Sequence, residues 1–230
     1  KATLLNAHGE FIQPYEKLPT PSPATPAKVL DTIKKLANKF AAFDEIAVGF
    51  PGYVNDGVVK TAPNLGTGSW INFNLQKKLA NLLGKPALVI NDADLQGLSL
   101  AKGKGLEMMI TLGTGVGTAL LKDGMLLPHL ELAHHPVSGK KTYDEYIGEA
   151  ALKKIGLKKW NKRMTKVLGI LKVVFNYDHL YISGGNAGLL SCKLEKNITI
   201  AGNREGIKGS AMLWKQHKWI NHQNILIEDK

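Results

Sequence analysis

Ile110–Leu120, with the sequence ITLGTGVGTAL, is the stretch that decides the fold. Its three glycines alternate with threonine and valine, and apolar residues flank them on both sides. Glycine lets a backbone turn tightly and approach a ligand closely, because it has no Cβ. Successive free amides in such a turn form a concave anion site, and threonine hydroxyls add further donors. The stretch therefore predicts a phosphate-binding loop, with an ordinary glycine turn as the alternative.

The residues after the glycines indicate which kind of loop this is. A dinucleotide-binding fingerprint needs a helix that opens directly after its glycines. Here Thr118–Leu121 continues as an apolar, strand-like run, and Lys122-Asp123-Gly124 is typical of a tight turn. We therefore predict a β-hairpin with the glycines at its bend.

Length and composition exclude several classes of protein. A chain of 230 residues can form one large domain or two modest lobes. Its apolar runs are far shorter than the roughly 20 residues that a membrane span needs, and no charged-then-apolar leader opens it. Cys192 is the single cysteine, so we expect no internal disulfide and no cysteine metal cluster. These features predict a cytoplasmic protein without a membrane partner.

The formal net charge of +11 indicates a polyanionic partner. Nine lysines and arginines, but only three acidic residues, lie between Ser138 and Lys166. This basic segment could be a solvated helical face, a nucleic-acid surface or a surface for inorganic polyphosphate. Aromatic residues are sparse within it and no nucleic-acid motif is present, so we expect no nucleic-acid partner.

Predicted strands and helices alternate along the chain, which is typical of an α/β architecture with a partly parallel sheet. The predicted strands are 1–5, 11–15, 46–50, 87–90, 108–112, 118–121, 180–183 and 197–201. The predicted helices are 26–40, 72–83, 92–101, much of 142–175, one directly after Gly185, and 205–218. A boundary near residues 103–105 would divide an N-terminal lobe, 1–103, from a C-terminal lobe, 104–230. We expect the last helix to pack back on the N-terminal lobe.

Asn91 and Asp92 stand where a predicted buried strand ends and a helix begins. Ligands of open α/β sheets bind at this edge, and a carboxylate there can take a proton from a substrate hydroxyl. Aspartate and asparagine are also ordinary helix N-caps, so both interpretations stay open. Gly52 and Asn64 follow short strands in the same half, where Asn64 either lines a sugar site or simply belongs to a turn.

Two further motifs lie in the second half of the chain. Residues 129–135, HLELAHH, lack the glutamate spacing of the two-histidine zinc helix. Glu131 and His134 therefore either pair with sugar hydroxyls or make ordinary hydrogen bonds. Residues 184–186, Gly-Gly-Asn, form a second glycine turn after a strand. A helix N-terminus there would favour an anion, although the turn could simply connect strand to helix.

Taken in order, these motifs resemble the ROK sugar kinases, and in particular the polyphosphate-dependent glucokinases and glucomannokinases of that family. The resemblance covers essentially the whole chain. Its motifs are Pro51-Gly52, TAPNL at 61–65, NDAD at 91–94, the glycine loop, ELAHHP at 131–136, KKWNKR at 158–163, FNYD at 175–178 and GGN at 184–186. It implies an actin-like, ribonuclease-H-like α/β fold with two lobes and a cleft between them, and a first strand that is incomplete here.

The resemblance also implies an activity, which is phosphoryl transfer from polyphosphate or ATP to glucose, and also to mannose. Asp92 would be the general base that takes the proton of the sugar 6-hydroxyl. The sugar would be held by Gly52, Asn64, Asn91, Glu131 and His134. The phosphates would lie on Gly113, Thr114, Gly115, Gly184, Gly185 and Asn186. A polyphosphate chain would lie on Lys158, Lys159, Lys162 and Arg163. Mg²⁺ would bridge phosphate oxygens, and the protein would act as a homodimer.

Three departures from the family pattern bear on this expectation. Family members begin with a strand that carries an Asp-x-Gly-Gly loop, whereas this chain starts at Lys1, so we expect either preceding residues or an impaired kinase. Ala133 replaces the glycine of Glu-x-Gly-His, and the zinc-binding cysteine cluster is absent, so we expect no structural zinc. The alternatives are a sugar-binding regulatory module without turnover, and a nucleic-acid binder suggested by charge alone.

Overall fold

The computed structural model describes residues 1–202 and 206–228, with side chains for residues 1–66, 68–202 and 206–222. The strands are β1 (Ile46–Phe50), β2 (Val54–Asn55), β3 (Val58–Val59), β4 (Phe73–Asn74), β5 (Ala87–Asn91), β6 (Leu106–Leu112), β7 (Val116–Lys122), β8 (Met125–Leu126), β9 (Pro136–Ser138), β10 (Lys141–Thr142), β11 (His179–Ser183) and β12 (Ile198–Ile200). The α-helices are α1 (Pro26–Ala37), α2 (Leu75–Leu83), α3 (Asp92–Leu100), α4 (Tyr143–Ile147), α5 (Glu149–Ile155), α6 (Leu157–Phe175) and α7 (Gly209–Glu228).

The glycine stretch is the bend of a hairpin, as the sequence predicts. Strands β6 and β7 pair antiparallel in a register that sets Leu112 opposite Val116, which leaves Gly113–Gly115 as the three-residue tip. The hairpin lies within a five-stranded sheet of order β12-β11-β6-β7-β8. Strand β11 runs parallel to both β6 and β12. The sheet is therefore mixed, and the carboxyl ends of β6 and β11 lie at the same edge.

Helix α6 forms much of the hydrophobic core that includes this sheet. Trp160, Met164 and Val167 are fully buried in the same cluster as Met108 and Ile110 of β6. The indole Nε1 of Trp160 donates a hydrogen bond to the Ile147 carbonyl at 2.7 Å, which ties α6 to the end of α4. Since one face of α6 is buried in this way, its lysine-rich face is left in solvent.

A second core lies among the first 95 residues. Strands β1 and β5 pair parallel, and β2, β3 and β4 form a small antiparallel sheet. Phe50, Trp70 and Leu79 are buried together there, and the Trp70 indole donates to the Ala24 carbonyl at 2.8 Å. This packing holds the carboxyl ends of β1 and β5 side by side, with Phe50 opposite Asn91.

The chain divides into two units by its contacts. Unit 1 contains Lys1–Leu95 and Ile207–Lys230, and unit 2 contains Gln96–Gly206. The division falls inside α3, a little before the boundary at 103–105 that the sequence suggests. Helix α7 belongs to unit 1, where it packs on β1, and Lys218 makes an ion pair with Glu45 at 2.6 Å.

The prediction of a helix directly after Gly185 is wrong. The structure has only a short 3₁₀ turn, Ala187–Leu189, in its place. The buried side chain of Asn161 on α6 gives the physical reason, because its amide donates to the Leu189 carbonyl and its carbonyl oxygen accepts from the Ser191 amide. These bonds take up backbone groups that a longer helix would use internally. The half-buried Cys192 follows directly and packs against the core cluster.

Other predicted elements are present with shifted ends. The predicted strands 1–5 and 11–15 are reduced to two isolated bridges. Helix α1 ends at Ala37, and α2 begins at Leu75 because Asn74 caps it by accepting from the Lys77 amide at 2.8 Å. The predicted helix 142–175 is three helices, α4 to α6. The last helix begins at Gly209, and Glu205 lies outside the described residues. None of the helices described combines the length and the apolar character that a membrane span requires.

Candidate functional site

Asn91 and Asp92 have different structural roles at the end of β5. The buried Asn91 donates from its amide nitrogen to the Gly52 carbonyl at 3.0 Å, and its oxygen accepts from the Ala93 amide at 2.7 Å. Asn91 therefore caps α3 and fastens it to the segment after β1. Asp92 is the first residue of α3 and its side chain is exposed. The capping role that the sequence left open falls on Asn91, which leaves the Asp92 carboxylate on the surface of unit 1.

Gly52 allows two backbone segments of unit 1 to approach each other. A Cβ at this position would collide with the Thr61 carbonyl. The contact is reinforced by a hydrogen bond from the Tyr53 amide to the Thr61 hydroxyl at 3.0 Å. Asn64 lies just beyond, on an exposed turn closed by the Leu65 amide and the Ala62 carbonyl. The structure thus joins Gly52 to Asn91 directly, whereas no hydrogen bond among the described residues links Asn64 to either.

The hairpin tip of unit 2 leaves backbone donors open. The Gly113 amide donates to the Gly115 carbonyl, and the Gly113 carbonyl accepts from the Glu149 amide, both at 3.0 Å. Within the described part of the chain, the amides of Thr114 and Gly115 have no acceptor. Two adjacent free amides are the arrangement that binds phosphate oxygens. The tip is therefore a candidate anion site.

The second glycine turn lies against the first. Gly184 has φ +97°, and a Cβ there would collide with the backbone of Leu112. The Asn186 amide donates to the Leu112 carbonyl at 2.9 Å, and its side-chain amide donates to the Gly113 carbonyl at 3.4 Å. Gly185 faces open space instead. The structure therefore brings together the two turns that the sequence assigned to phosphate.

Glu131 and His134 lie together in unit 2 around a short 3₁₀ turn. Glu131 is 3.7 Å from His134 Nε2 and accepts a hydrogen bond from His129 Nε2 at 3.3 Å. That hydrogen bond is the main cause that lowers the pKa of Glu131, and the two histidines add to it while burial opposes it. Glu131 is thus held as a carboxylate acceptor beside the exposed imidazole of His134. Ala133, which departs from the family pattern, is buried.

The basic residues of α6 divide into two kinds. Lys158, Lys159 and Lys162 are exposed, and no described carboxylate pairs with them. Arg163 instead donates to the Tyr146 carbonyl at 2.9 Å and stacks over the Tyr146 ring at 4.5 Å. The guanidinium therefore helps to hold α4 against α6, a role that the sequence did not suggest. Its assignment to polyphosphate stays a prediction.

The sequence reasoning missed two residues that shape these sites. Asp144 Oδ1 accepts from the Val116 amide at 2.7 Å, directly beside the hairpin tip. His129 orients Glu131. A local signal for Asp144 existed, because Thr142 and Glu145 form a capping box that fixes the start of α4 and places Asp144 in its first turn. Nothing local indicates that this turn meets Val116, 28 residues earlier.

No three His, Cys, Asp or Glu side chains come together as a metal site in the described residues. A magnesium ion that bridges substrate phosphates needs only one or two protein carboxylates, so it does not require such a cluster. The prediction that the chain holds no structural zinc stays a prediction.

Comparisons with known proteins show which family this chain belongs to. The family model described as the ROK family matches residues 1–129. A polyphosphate glucokinase of Mycobacterium tuberculosis (strain CDC 1551 / Oshkosh) is 34% identical over 212 residues, which cover 89% of this chain and 78% of that protein.

Solved structures give the same answer for the fold. The inorganic polyphosphate/ATP-glucomannokinase of Arthrobacter sp. strain KM matches with a TM-score of 0.80 and 28% identity over 91% of each chain. A ROK family glucokinase of Streptomyces griseus, solved with glucose and AMPPNP, matches with a TM-score of 0.75 and 18% identity over 92% of this chain and 94% of that one. These matches confirm the predicted α/β sugar-kinase fold of the actin-like type. The chain belongs to the ROK family.

Proposed function

We propose that this protein is a phosphotransferase that makes glucose 6-phosphate from glucose, with inorganic polyphosphate, ATP or both as donor and mannose as a further acceptor. The names of its relatives support this, since they are polyphosphate glucokinases and a polyphosphate/ATP-glucomannokinase. The observation that carries the proposal is the hairpin tip, where the amides of Thr114 and Gly115 are left without an acceptor in the described chain. A phosphoryl group is the ligand that such a tip suits.

In this proposal Asp92 is the general base for the sugar 6-hydroxyl. Its exposed carboxylate stands at the first turn of α3, and Asn91 fixes that turn by capping it. Gly52, Asn64, Asn91, Glu131 and His134 hold the sugar, with Glu131 kept ionised by His129 so that it accepts hydrogen bonds from hydroxyls. Phosphoryl transfer relies on positioning and charge neutralisation, so a base and an anion clamp are the protein groups that it needs.

On the donor side, Gly113, Thr114 and Gly115 hold the transferred phosphoryl group, and Gly184, Gly185 and Asn186 hold the phosphates behind it. Two of these glycines, Gly113 and Gly185, face open space in the structure, so a phosphate can approach their backbone. A magnesium ion bound together with the donor would neutralise charge on its phosphate oxygens.

The exposed lysines of α6 suggest how a polyphosphate chain is preferred over ATP. Lys158, Lys159, Lys162 and Lys166 span about 12 Å of one helix face. A linear polyanion can reach several of these cations at once, whereas ATP carries only three phosphates. Replacing Lys158, Lys159 and Lys162 by alanine should lower kcat/KM for polyphosphate by about tenfold or more and change ATP use little.

A matched control for this triple variant is alanine at Lys28, Lys77 and Lys78, three exposed lysines of unit 1. It removes the same charge elsewhere and should leave the donor preference unchanged. Arg163→Ala is tested separately, because its contact with Tyr146 gives it a structural role. Equal losses with both donors would contradict the proposed preference.

The base is tested with a coupled assay of glucose 6-phosphate formation. Asp92→Asn should reduce kcat by about 10²-fold or more, because an amide cannot take the hydroxyl proton. Asp31→Asn, an exposed aspartate on α1, is the control and should remain fully active. Undiminished turnover by Asp92→Asn would reject the assigned base.

The relatives favour a kinase over the sugar-binding regulatory module. Calorimetric binding of glucose with no product from either donor would instead favour the module. The proposal also places the protein in the cytoplasm as a homodimer without nucleic-acid or membrane partners. Light scattering of the purified protein tests whether it is a dimer. Competition between DNA and polyphosphate for binding at equal salt tests whether nucleic acid is a partner.

A further inference from the structure

The 127–135 segment, which carries Glu131 and His134, is attached to strand β7 by a threonine. The Thr118 hydroxyl donates a hydrogen bond to the Leu130 carbonyl at 2.6 Å. Thr118 is only 3% exposed, so its side chain is removed from solvent. Burial of a hydroxyl is unfavourable unless the hydroxyl makes a hydrogen bond. The bond to Leu130 is therefore what justifies a polar side chain at this position of unit 2.

The surroundings of Thr118 are apolar. Side chains two residues apart on a strand share a face, so Thr118 faces the same side of β7 as Val116 and Leu120. Val116 belongs to the hydrophobic core cluster of unit 2, and Leu120 packs against it. Thr118 also lines a small cavity together with Met108 and Leu132. An apolar β-branched residue would fill the same space, so what the hydroxyl adds is its hydrogen bond to the segment.

Side-chain packing holds the segment only weakly at Leu130. The Leu130 side chain is 44% exposed, whereas Ala133 is buried and Leu132 packs against the core cluster. The backbone of Leu130 is held through its carbonyl instead. Thr118 therefore anchors the part of the segment that its own side chain does not anchor.

The anchored carbonyl belongs to the peptide group that joins Leu130 to Glu131. A peptide group is planar, so holding its oxygen also orients the bond that leads to the Cα of Glu131. The Glu131 carbonyl in turn accepts a hydrogen bond from the His134 amide at 3.3 Å, at the 3₁₀ turn that follows. Thr118 therefore acts on the backbone from which the side chains of Glu131 and His134 extend.

The same strand carries the hairpin tip at its start. Val116 follows the tip directly, and Thr118 lies two residues further along β7, opposite Ile110. Strand β7 is hydrogen-bonded on both sides, to β6 and to β8. The tip and the 127–135 segment are thus attached to one well-supported strand. In a reaction between two bound substrates, a misplacement of about 1 Å can cost about 10²-fold in rate, so such a common support is valuable.

We propose that Thr118 is a positioning residue, whose hydroxyl holds the Leu130–Glu131 peptide so that Glu131 and His134 are placed for the sugar. It acts through the backbone of the 127–135 segment and does not itself touch the substrate. This inference rests on the proposed kinase function for its kinetic consequences, whereas the anchoring of the segment does not depend on that function.

Two substitutions separate the hydroxyl from the bulk of the side chain. Thr118→Val keeps the shape but removes the hydrogen-bond donor, and we expect KM for glucose to rise about tenfold with KM for the phosphoryl donor unchanged. Thr118→Ser keeps the hydroxyl and loses a buried methyl group, so KM for glucose should stay near the wild-type value although the protein is less stable. A merely structural role would make the serine variant at least as defective as the valine variant.

Thr32→Val is the matched control. The Thr32 hydroxyl donates to the Lys28 carbonyl at 2.8 Å within α1, so this substitution removes the same kind of hydrogen bond elsewhere in the chain. It should leave both KM values unchanged. The new methyl group of Thr118→Val faces apolar side chains, so that variant should fold, and Thr118→Ala, which also lacks the hydroxyl, should show the same rise in KM for glucose.

Amide hydrogen exchange at His134 gives a readout that needs no activity, because this amide bonds to the Glu131 carbonyl. Exchange should be faster in Thr118→Val than in the wild type, and should return toward the wild-type rate in Thr118→Ser. An unchanged KM for glucose in the valine variant, an equal rise in KM for the donor, or equal losses in the serine and valine variants would each overturn the proposal. If the wild-type protein makes no glucose 6-phosphate, the proposed function fails, while the exchange rates still decide whether Thr118 holds the segment.

Discussion

Both ends of strand β6 adjoin glycine-containing turns, but the two turns differ in whether their backbone amides have hydrogen-bond acceptors within the chain. At the closed end, residues 102–106, each of the five successive amides donates to a carboxylate of the chain. These carboxylates are Glu107, Asp123 and Asp178. At the open end, residues 113–117, the amides of Thr114 and Gly115 have no acceptor in the part of the chain that is described.

The difference shows that a glycine turn is not an anion site by composition alone. At the closed end, the buried Glu107 accepts from three successive amides and from the Tyr181 hydroxyl, which is where an external anion would otherwise bind. Its negative charge makes that turn a stabilising element. At the open end the carboxylate of Asp144 accepts a hydrogen bond from the Val116 amide, beside the tip. The free amides beside it are what make the turn a candidate site.

The largest effect that would sharpen this comparison is expected at Glu107. Glu107→Ala leaves three amides and a hydroxyl without their acceptor, and should lower the free energy of unfolding by about 3 kcal/mol. Urea denaturation measures this loss. Glu107→Gln keeps one acceptor oxygen and should lose less. If the alanine variant is as stable as the wild type, the closed end is not the stabilising element described above.

The next largest effects are expected from alanine substitutions at two glycines, one at each end of β6. Gly105 at the closed end has φ +68°, and a Cβ there would collide with Asp178, so Gly105→Ala should destabilise the protein by about 2 kcal/mol. Gly113 at the open end has neither constraint. Gly113→Ala should change the unfolding free energy by less than about 0.5 kcal/mol, but should raise KM for the donor several-fold because its methyl group meets the phosphate.

Gly169 in the interior of α6 is the control position for the alanine substitutions at Gly105 and Gly113. Open space surrounds it, so Gly169→Ala should stabilise the protein by about 0.5–1 kcal/mol through helix propensity and leave both KM values unchanged. Thermal unfolding and the coupled assay check all three variants. A donor KM in Gly113→Ala that matches that of Gly169→Ala would mean that phosphate does not approach the tip.

The smallest effect is a difference in pH dependence between the two ends. Desolvation raises the pKa of Glu107, but hydrogen bonds from Lys102, Tyr181, Lys104 and Gly103 outweigh it, so the folded pKa lies below 4.5. The stability that this carboxylate contributes is therefore present above the unfolded pKa and is lost as the pH falls through the folded value.

Asp144 should act with the opposite sign. Its folded pKa is raised above 3.8, mainly by burial, so the folded state binds its proton first and gains relative stability as the pH falls. Unfolding free energies measured from pH 6 to pH 3 should therefore decline less steeply in Glu107→Gln and more steeply in Asp144→Asn than in the wild type. Parallel curves for the two variants would contradict this assignment of signs.

The open end could largely be predicted from the sequence, because its signals are local. Alternation of glycine with threonine and valine, followed by an apolar run and the turn at Asp123-Gly124, is enough to predict the hairpin and its tip. The strand end at Asn91 and Asp92 is local in the same sense. The local pattern leaves open which of the two residues caps α3, since both can. The hydrogen bond that the Asn91 oxygen accepts from the Ala93 amide assigns the cap to Asn91.

The contacts that support these sites could not be predicted in this way, because they join distant segments. The Asp144 carboxylate accepts a hydrogen bond from the Val116 amide, 28 residues away in sequence. The Asn161 side chain accepts one from the Ser191 amide, 30 residues away, and this bond is part of the reason why the helix expected after Gly185 does not form. The charge pattern groups Arg163 with its neighbouring lysines, although its guanidinium donates to the Tyr146 carbonyl. In each case a polar side chain is committed to a backbone group that only the folded chain brings within reach.

The segment that Asn161 holds has a practical consequence. Cys192 directly follows Ser191, is only partly buried, and is the single cysteine of the chain. A thiol-reactive fluorophore would therefore attach at one known place, close in sequence to the Gly184 turn, without any engineered substitution. Its emission could follow titrations of this protein with polyphosphate or nucleotide in real time, and could do so even under conditions in which no sugar is consumed.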